Sequence, residues 1–156
     1  MRNTLRLILL FICSAFAVLS FAEQKLRYET CVMKDEVKTL RIRYAGTTQP
    51  ERPVLTLGSD EQLEISFDEL SHDTRNYTYT VLHLNADGTE SNLSSGEFLR
   101  GFTTQDITDY MTSLNTQQLY THYSFLFPND DMQPTVSGNY ALKIYEDGDR
   151  DNVVAY

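Results

Sequence analysis

Leu63, Ile65 and Phe67 alternate with Glu64 and Ser66. That period of two puts the apolar side chains on one face of a half-buried strand. The same alternation recurs at 121–127, where Tyr123, Phe125 and Phe127 share a face. It recurs again at 139–146 with Tyr140, Leu142 and Ile144, and at 37–44 with Leu40 and Ile42 set against Arg41 and Arg43. Residues 77–86, "YTYTVLHLNA", carry apolar or aromatic side chains on both faces, the pattern of a central strand. Residues 27–33 read as a further strand, paired with 37–44 through a turn at Lys34-Asp35-Glu36. The stretch 103–120 reads as strand followed by loop, because Thr and Asn recur through it and disfavour a helix interior. Gly, Pro, Asn, Asp and Ser punctuate the intervals at 45–53, 57–62, 71–76, 86–96, 128–138 and 147–152. No long segment has a 3.6-residue period. About seven to eight short strands without helices predict an all-β, immunoglobulin-like two-sheet antiparallel sandwich. In "VSGNYALKIY" a Gly stands two residues before a Tyr that opens a strand, which assigns Tyr140 as a tyrosine corner.

The N-terminus departs from this pattern. Arg2 and Arg6 precede an apolar run from Leu7 to Leu19, and Ser20 and Ala22 sit at the −3 and −1 positions of a cleavage site. This predicts a secretory signal peptide over 1–22; the run is too short for a membrane span. Cleavage removes 22 of 156 residues and leaves one domain, 23–156. It also removes two of the 13 basic residues and none of the 22 acidic ones, for a formal charge of −11. Such a surface argues against nucleic acid and anionic lipid as partners. Cys13 leaves with the signal, so Cys31 is the single mature thiol and an intrachain disulfide is excluded. Its strand-like setting predicts a buried structural cysteine.

Candidate chemistry is sparse. His72, His83 and His122 are the three imidazoles, and no two are spaced as a short metal-ligand pair. His72 reads as a solvated turn residue, and His83 and His122 as hydrogen-bonded strand residues. Asp147, Asp149 and Asp151 alternate like the oxygen ligands of a calcium loop. The rest of an EF-hand is missing, so the reading favours a turn in which Asp147-Gly148 supplies positive φ. Pairs such as Glu64/Asp68 and Asp130/Asp131 look like a solvated acidic surface. There is no Gly-x-Ser-x-Gly and no phosphate-cradling Gly loop. Asn76-Tyr-Thr and Asn92-Leu-Ser match the glycosylation triplet. Ten Tyr and eight Phe with no Trp suit half-buried strands or an exposed binding face. On these grounds no catalytic, cofactor-binding or metal residue is expected.

The most specific strings are Ile107-Thr-Asp-Tyr110 followed by Asn115-Thr116, Tyr120-Thr-His-Tyr123 leading to Phe127-Pro-Asn129, and Ser137-Gly-Asn-Tyr140. From about Tyr28 to Asp149 the chain resembles the N-terminal domain of type IX secretion system plug proteins. The resemblance implies a non-enzymatic component of protein secretion, exported to the periplasm and peripheral to the outer membrane without inserting into it. Its implied partner is the outer-membrane translocon barrel, whose channel the plug closes when no cargo is present. No small-molecule substrate and no cofactor is implied. Members of the family continue well past this domain, so the chain ending at Tyr156 reads as a fragment or truncated product, with "NVVAY" as the opening of a final strand. The alternative is an exported β-sandwich module binding a ligand such as a glycan through exposed Tyr. An exported metal-dependent hydrolase has least support, for want of a His and Asp constellation.

Overall fold

The computed structural model describes residues 27–48, 52–71 and 73–156. The expected signal peptide and His72 lie outside the described residues. Among the described residues, ten strands and one helical turn succeed one another in chain order: β1 (Val37–Tyr44), β2 (Leu63–Glu69), β3 (Tyr77–Leu84), α1 (Ser95–Phe98), β4 (Leu99–Gly101), β5 (Thr104–Ile107), β6 (Asp109–Thr112), β7 (Thr121–Phe127), β8 (Met132–Pro134), β9 (Asn139–Glu146) and β10 (Val153–Ala155). Sheet one has the order β1-β2-β7-β6, sheet two the order β10-β9-β3-β5, and β4-β8 form a short ribbon. Neighbouring strands pair antiparallel throughout. This is the expected all-β sandwich.

Alternation fixes which side chains meet between the sheets. Leu63, Ile65 and Phe67 of β2 are buried, opposite Phe127, Phe125 and Tyr123 of β7. Tyr77, Tyr79 and Val81 of β3 are buried opposite Glu146, Ile144 and Leu142 of β9. β3 lies between β9 and β5, the central position its two-sided apolar pattern predicts. In β1 the phase shifts. Lys38 pairs with Asp68 but Arg41 with Ser66, so one extra residue is inserted on β1. Thr39 takes φ +57° at that bulge. The insertion brings Leu40, Ile42 and Tyr44 onto the core face with Val37. The core centres on aromatic rings. Phe67 stacks on Tyr123 at 5.3 Å between centroids, and Tyr77 meets Tyr123 edge-on at 4.8 Å.

Four expectations need correction. Residues 31–33 do not form a hairpin with β1. They pair with the far end of the chain: Val32 bridges Ala155, Cys31 N–H donates to the Tyr156 carbonyl at 3.0 Å, and Met33 N–H to that of Val154 at 2.9 Å. β1 pairs instead with β2, because its apolar face must close sheet one. Residues 103–120 hold two strands in different sheets, β5 in sheet two and β6 in sheet one, with Thr108 between them. Cys31 is exposed rather than buried, since 31–33 form the outer edge of sheet two. One short helix does occur, capped by Ser94: its backbone N–H donates to Glu97 Oε2 at 2.7 Å, as does its hydroxyl.

Candidate functional site

Polar side chains gather in three places. The first is one end of the sandwich. Alternation carries Glu69 of β2 and Glu146 of β9 inward, where both are buried. Arg75, from the segment joining the sheets, runs between them. Its Nη1 donates to Glu146 Oε1 at 2.8 Å, and its Nε lies 3.4 Å from Glu69 Oε1. Lys34 Nζ donates to Glu146 Oε2, and the Ser71 N–H donates to Glu69 Oε2 at 3.2 Å. The Lys34 ammonium, hydrogen-bonded to it, holds the Glu146 carboxyl below the usual carboxylate range, with Arg75 adding to the effect. Tyr77 lies above this cluster, and burial pushes its hydroxyl up, with Glu69 and Glu146 adding to the shift. Four residues spanning 34 to 146 thus tie the two sheets together. Their charges balance, two cations against two carboxylates, which is what buried carboxylates require.

The second place is the opposite end, closed by α1 and the β4-β8 ribbon. Tyr140 donates its hydroxyl hydrogen to the Val136 carbonyl, four residues upstream, as a tyrosine corner does. Gly138 between them has a packing reason. A Cβ built there would lie 2.3 Å from Nε2 of His83. The His83 ring meets Tyr140 edge-on at 5.1 Å and bonds through Nδ1 to Ser91 Oγ at 2.9 Å. Asn129 comes just after the cis Phe127-Pro128 bond. Its Nδ2 donates to Gln105 Oε1 at 2.8 Å and to the Tyr79 hydroxyl at 3.0 Å. So Asn129, Tyr140 and Gly138, three residues of the distinctive strings, hold loops against sheet two. A fourth, Tyr123, accepts a hydrogen bond from the Arg75 N–H at 2.8 Å.

The third place is a groove of about 350 Å³ on the outer face of sheet one, lined among others by Arg41, Arg43, Asp68, Met111, Tyr120 and His122. His122 Nδ1 lies 2.6 Å from Asp68 Oδ1. These two are register partners on β2 and β7, so the pair acts across the ladder. Arg43 similarly bonds Glu64 at 2.5 Å. Ser113 in the same groove is engaged elsewhere: its Oγ accepts from the Tyr120 N–H at 2.9 Å and from the Thr116 hydroxyl at 3.1 Å. The groove therefore presents a carboxylate–imidazole pair held across the ladder, beside a Ser113 oxygen that accepts two hydrogen bonds from its own loop. Met111, which lines it, is 74% exposed.

The Asp-rich turn has its own geometry. Asp147 and Gly148 have φ of +54° and +71°, Asp149 N–H donates to the Glu146 carbonyl at 3.0 Å, and Asp151 N–H to Asp149 Oδ1 at 3.0 Å. That is the expected turn between β9 and β10. Among the described residues no group of three or more His, Cys, Asp or Glu could hold a metal ion. Tyr77, Tyr79 and Tyr123 are buried in the core, and Tyr145 is buried as well, so these four rings are withheld from a surface platform. No helix of the described residues is long and apolar enough to cross a membrane. Sequence reasoning missed the cluster of Lys34, Glu69, Arg75 and Glu146. The available signals were Glu69 and Glu146, which fall on the apolar phases of β2 and β9.

Comparison with known proteins agrees with this arrangement. No curated protein sequence matches the chain. A crystal structure of a hypothetical protein from Parabacteroides merdae ATCC 43184, at 2.30 Å resolution, superposes with a TM-score of 0.80 at 40% sequence identity. The match covers 84% of this chain and 33% of that one, so this chain spans about a third of that relative's length. The family model described as type 9 secretion system plug protein 1st domain matches residues 37–156, from the first residue of β1 to the end of the chain. The chain belongs to the type 9 secretion system plug protein family.

Proposed function

We propose that this chain acts as the first domain of a periplasmic plug that closes the outer-membrane translocon channel of the type IX secretion system when no cargo is present. The role is non-enzymatic. The domain is exported, sits peripheral to the outer membrane and meets the translocon barrel as a protein partner. The observation that carries this reading is the family match over residues 37–156. The architecture suits the task. A pore closure needs a body that resists deformation and excludes water, and two antiparallel sheets with aromatic rings interlocked between them supply one. The acidic surface keeps such a body soluble in the periplasm.

Co-purification tests the proposal. The plug carrying this domain, tagged and expressed in its native cell, is expected to bring down the translocon barrel after mild detergent extraction, and to lose it when residues 37–156 are deleted. Recovery of other secretion components without the barrel would overturn it.

A further inference from the structure

The groove on the outer face of sheet one is rich in hydrogen-bond donors that the fold leaves unused. The bulge at Thr39 turns Leu40 and Ile42 to the core, so Arg41 and Arg43 point outward. Arg43 is engaged with Glu64. Arg41 lines the groove and has no ion pair and no side-chain hydrogen bond among the described residues. Its register partner is Ser66. Ser66 is only 4% exposed and lines the groove, and its hydroxyl has no hydrogen-bond partner among the described residues either. A buried hydroxyl without a partner is uncommon and calls for a group from outside the chain. Asp68, the one carboxylate among the lining residues, is already held by His122. An uncompensated cation thus stands beside an unused hydroxyl, in a chain of formal net charge −9. That combination selects a carboxylate, which only accepts hydrogen bonds; a saccharide hydroxyl would need acceptors as well.

We propose that the groove receives an extended segment of a partner protein, crossing sheet one from β1 to β6, with an aspartate or glutamate on Arg41 and an apolar residue four positions away on Met111. The carboxylate meets the guanidinium fork and accepts a further hydrogen bond from the Ser66 hydroxyl. The far wall carries Met111 on β6, an edge strand that pairs with β7 alone among the described residues. Its thioether side chain adapts to an apolar neighbour. Spacing follows from the sheet. From β1 to β6 there are three interstrand steps, about 14 Å. Four residues of extended chain, at about 3.4 Å each, cover that distance and bring a side chain back to the same face. A groove of about 350 Å³ is at the small end for ligand sites, so it holds the anchoring side chains rather than the whole segment. The net negative charge repels acidic segments elsewhere on the surface, which confines recognition to this groove. This inference does not depend on the plug role.

Titration of the purified protein with the capped peptide acetyl-glutamate-threonine-threonine-threonine-leucine-amide, followed by proton–nitrogen NMR, tests it. Saturable shifts are expected at the amides of Arg41, Ser66 and Met111, with a Kd of about 1 mM or below. Glutamine in place of the glutamate, or Arg41→Gln in the protein, is expected to weaken binding by about tenfold or more. Met111→Ser, or a peptide with its leucine moved one position nearer the glutamate, is expected to weaken it by about threefold or more. Arg41 and Met111 are both exposed, so the variants keep the fold, and unchanged shifts in β3 and β9 verify this. Absence of saturable shifts up to about 10 mM peptide overturns the proposal. Equal binding of the glutamine peptide overturns it too. No response to either change at the Met111 end would leave a carboxylate site without a crossing segment, and would overturn it. Glucuronate binding as tightly as the peptide would assign the groove to an acidic saccharide and overturn it as well.

Discussion

Arg75 is the cation on which one end of the sandwich depends. Replacing it with Met keeps most of the aliphatic stem but removes the charge between Glu69, which is fully buried, and Glu146. Glu146 retains Lys34; among the described residues Glu69 retains the Ser71 backbone N–H and hydroxyl and no other hydrogen-bond donor. Breaking a fully buried pair costs about 3–5 kcal/mol. The Arg75 side chain is 36% exposed, and solvent screening lowers the expected loss to about 2–3 kcal/mol. Against a total stability of about 5–15 kcal/mol this is a large fraction. It corresponds to a loss of about 8–12 °C in Tm for a domain of this size. Urea unfolding of the purified protein, tracked by tyrosine fluorescence, measures it. Arg43→Met is the control, because its pair with Glu64 is cross-strand and partly exposed on both sides; the urea midpoint should barely move. Adding Glu69→Gln to Arg75→Met should recover part of the loss, since it removes the stranded charge. If Arg75→Met shifts the midpoint no more than Arg43→Met, the cluster does not bind the two sheets together and the reasoning fails.

Gly138→Ala should destabilise by about 1–3 kcal/mol, because the new methyl overlaps His83 Nε2; Gly96→Ala, with nothing within 4 Å, should be neutral or slightly stabilising by thermal melt. Tyr140→Phe removes the hydrogen bond to the Val136 carbonyl and should cost about 1 kcal/mol without changing the urea slope. Because the Glu146 carboxyl is lowered below 4.5 by folding, its contribution is fully present above that pH and is lost as pH falls through the folded value. Acid titration of stability should therefore show a steeper limb below pH 4.5 in the parent than in Glu146→Gln, which starts lower at neutral pH.

The strands were legible wherever alternation ran unbroken, as in β2, β7 and β9, because one face must be buried and a register slip would expose it. The tyrosine corner was legible too, since Gly138 and Tyr140 lie in one short string. Pairing between distant segments was not. Nothing local to Cys31 indicates that its strand partner is Tyr156, and a short turn at Lys34–Glu36 favours a hairpin reading. β5 and β6 escaped separation because Thr108 alone carries the chain from one sheet to the other. The turn of helix had a local mark, the Ser94 and Glu97 spacing of a capping box, obscured by the polar loop around it. Of the site, His122 was rightly read as a strand residue, but its partner Asp68 lies 54 positions away. The ionic cluster draws on residues from Lys34 to Glu146, so only the packed sandwich brings it together.

The most direct test of the plug reading is permeability of the outer membrane. Cells of the native host lacking residues 37–156 are exposed to a glycopeptide antibiotic too large for ordinary porins, with the translocon barrel present or deleted. The account predicts increased sensitivity while the barrel is present, and none once it is removed, because the open channel is the route of entry. Unchanged sensitivity with the barrel in place, or sensitivity that persists without it, would contradict the account.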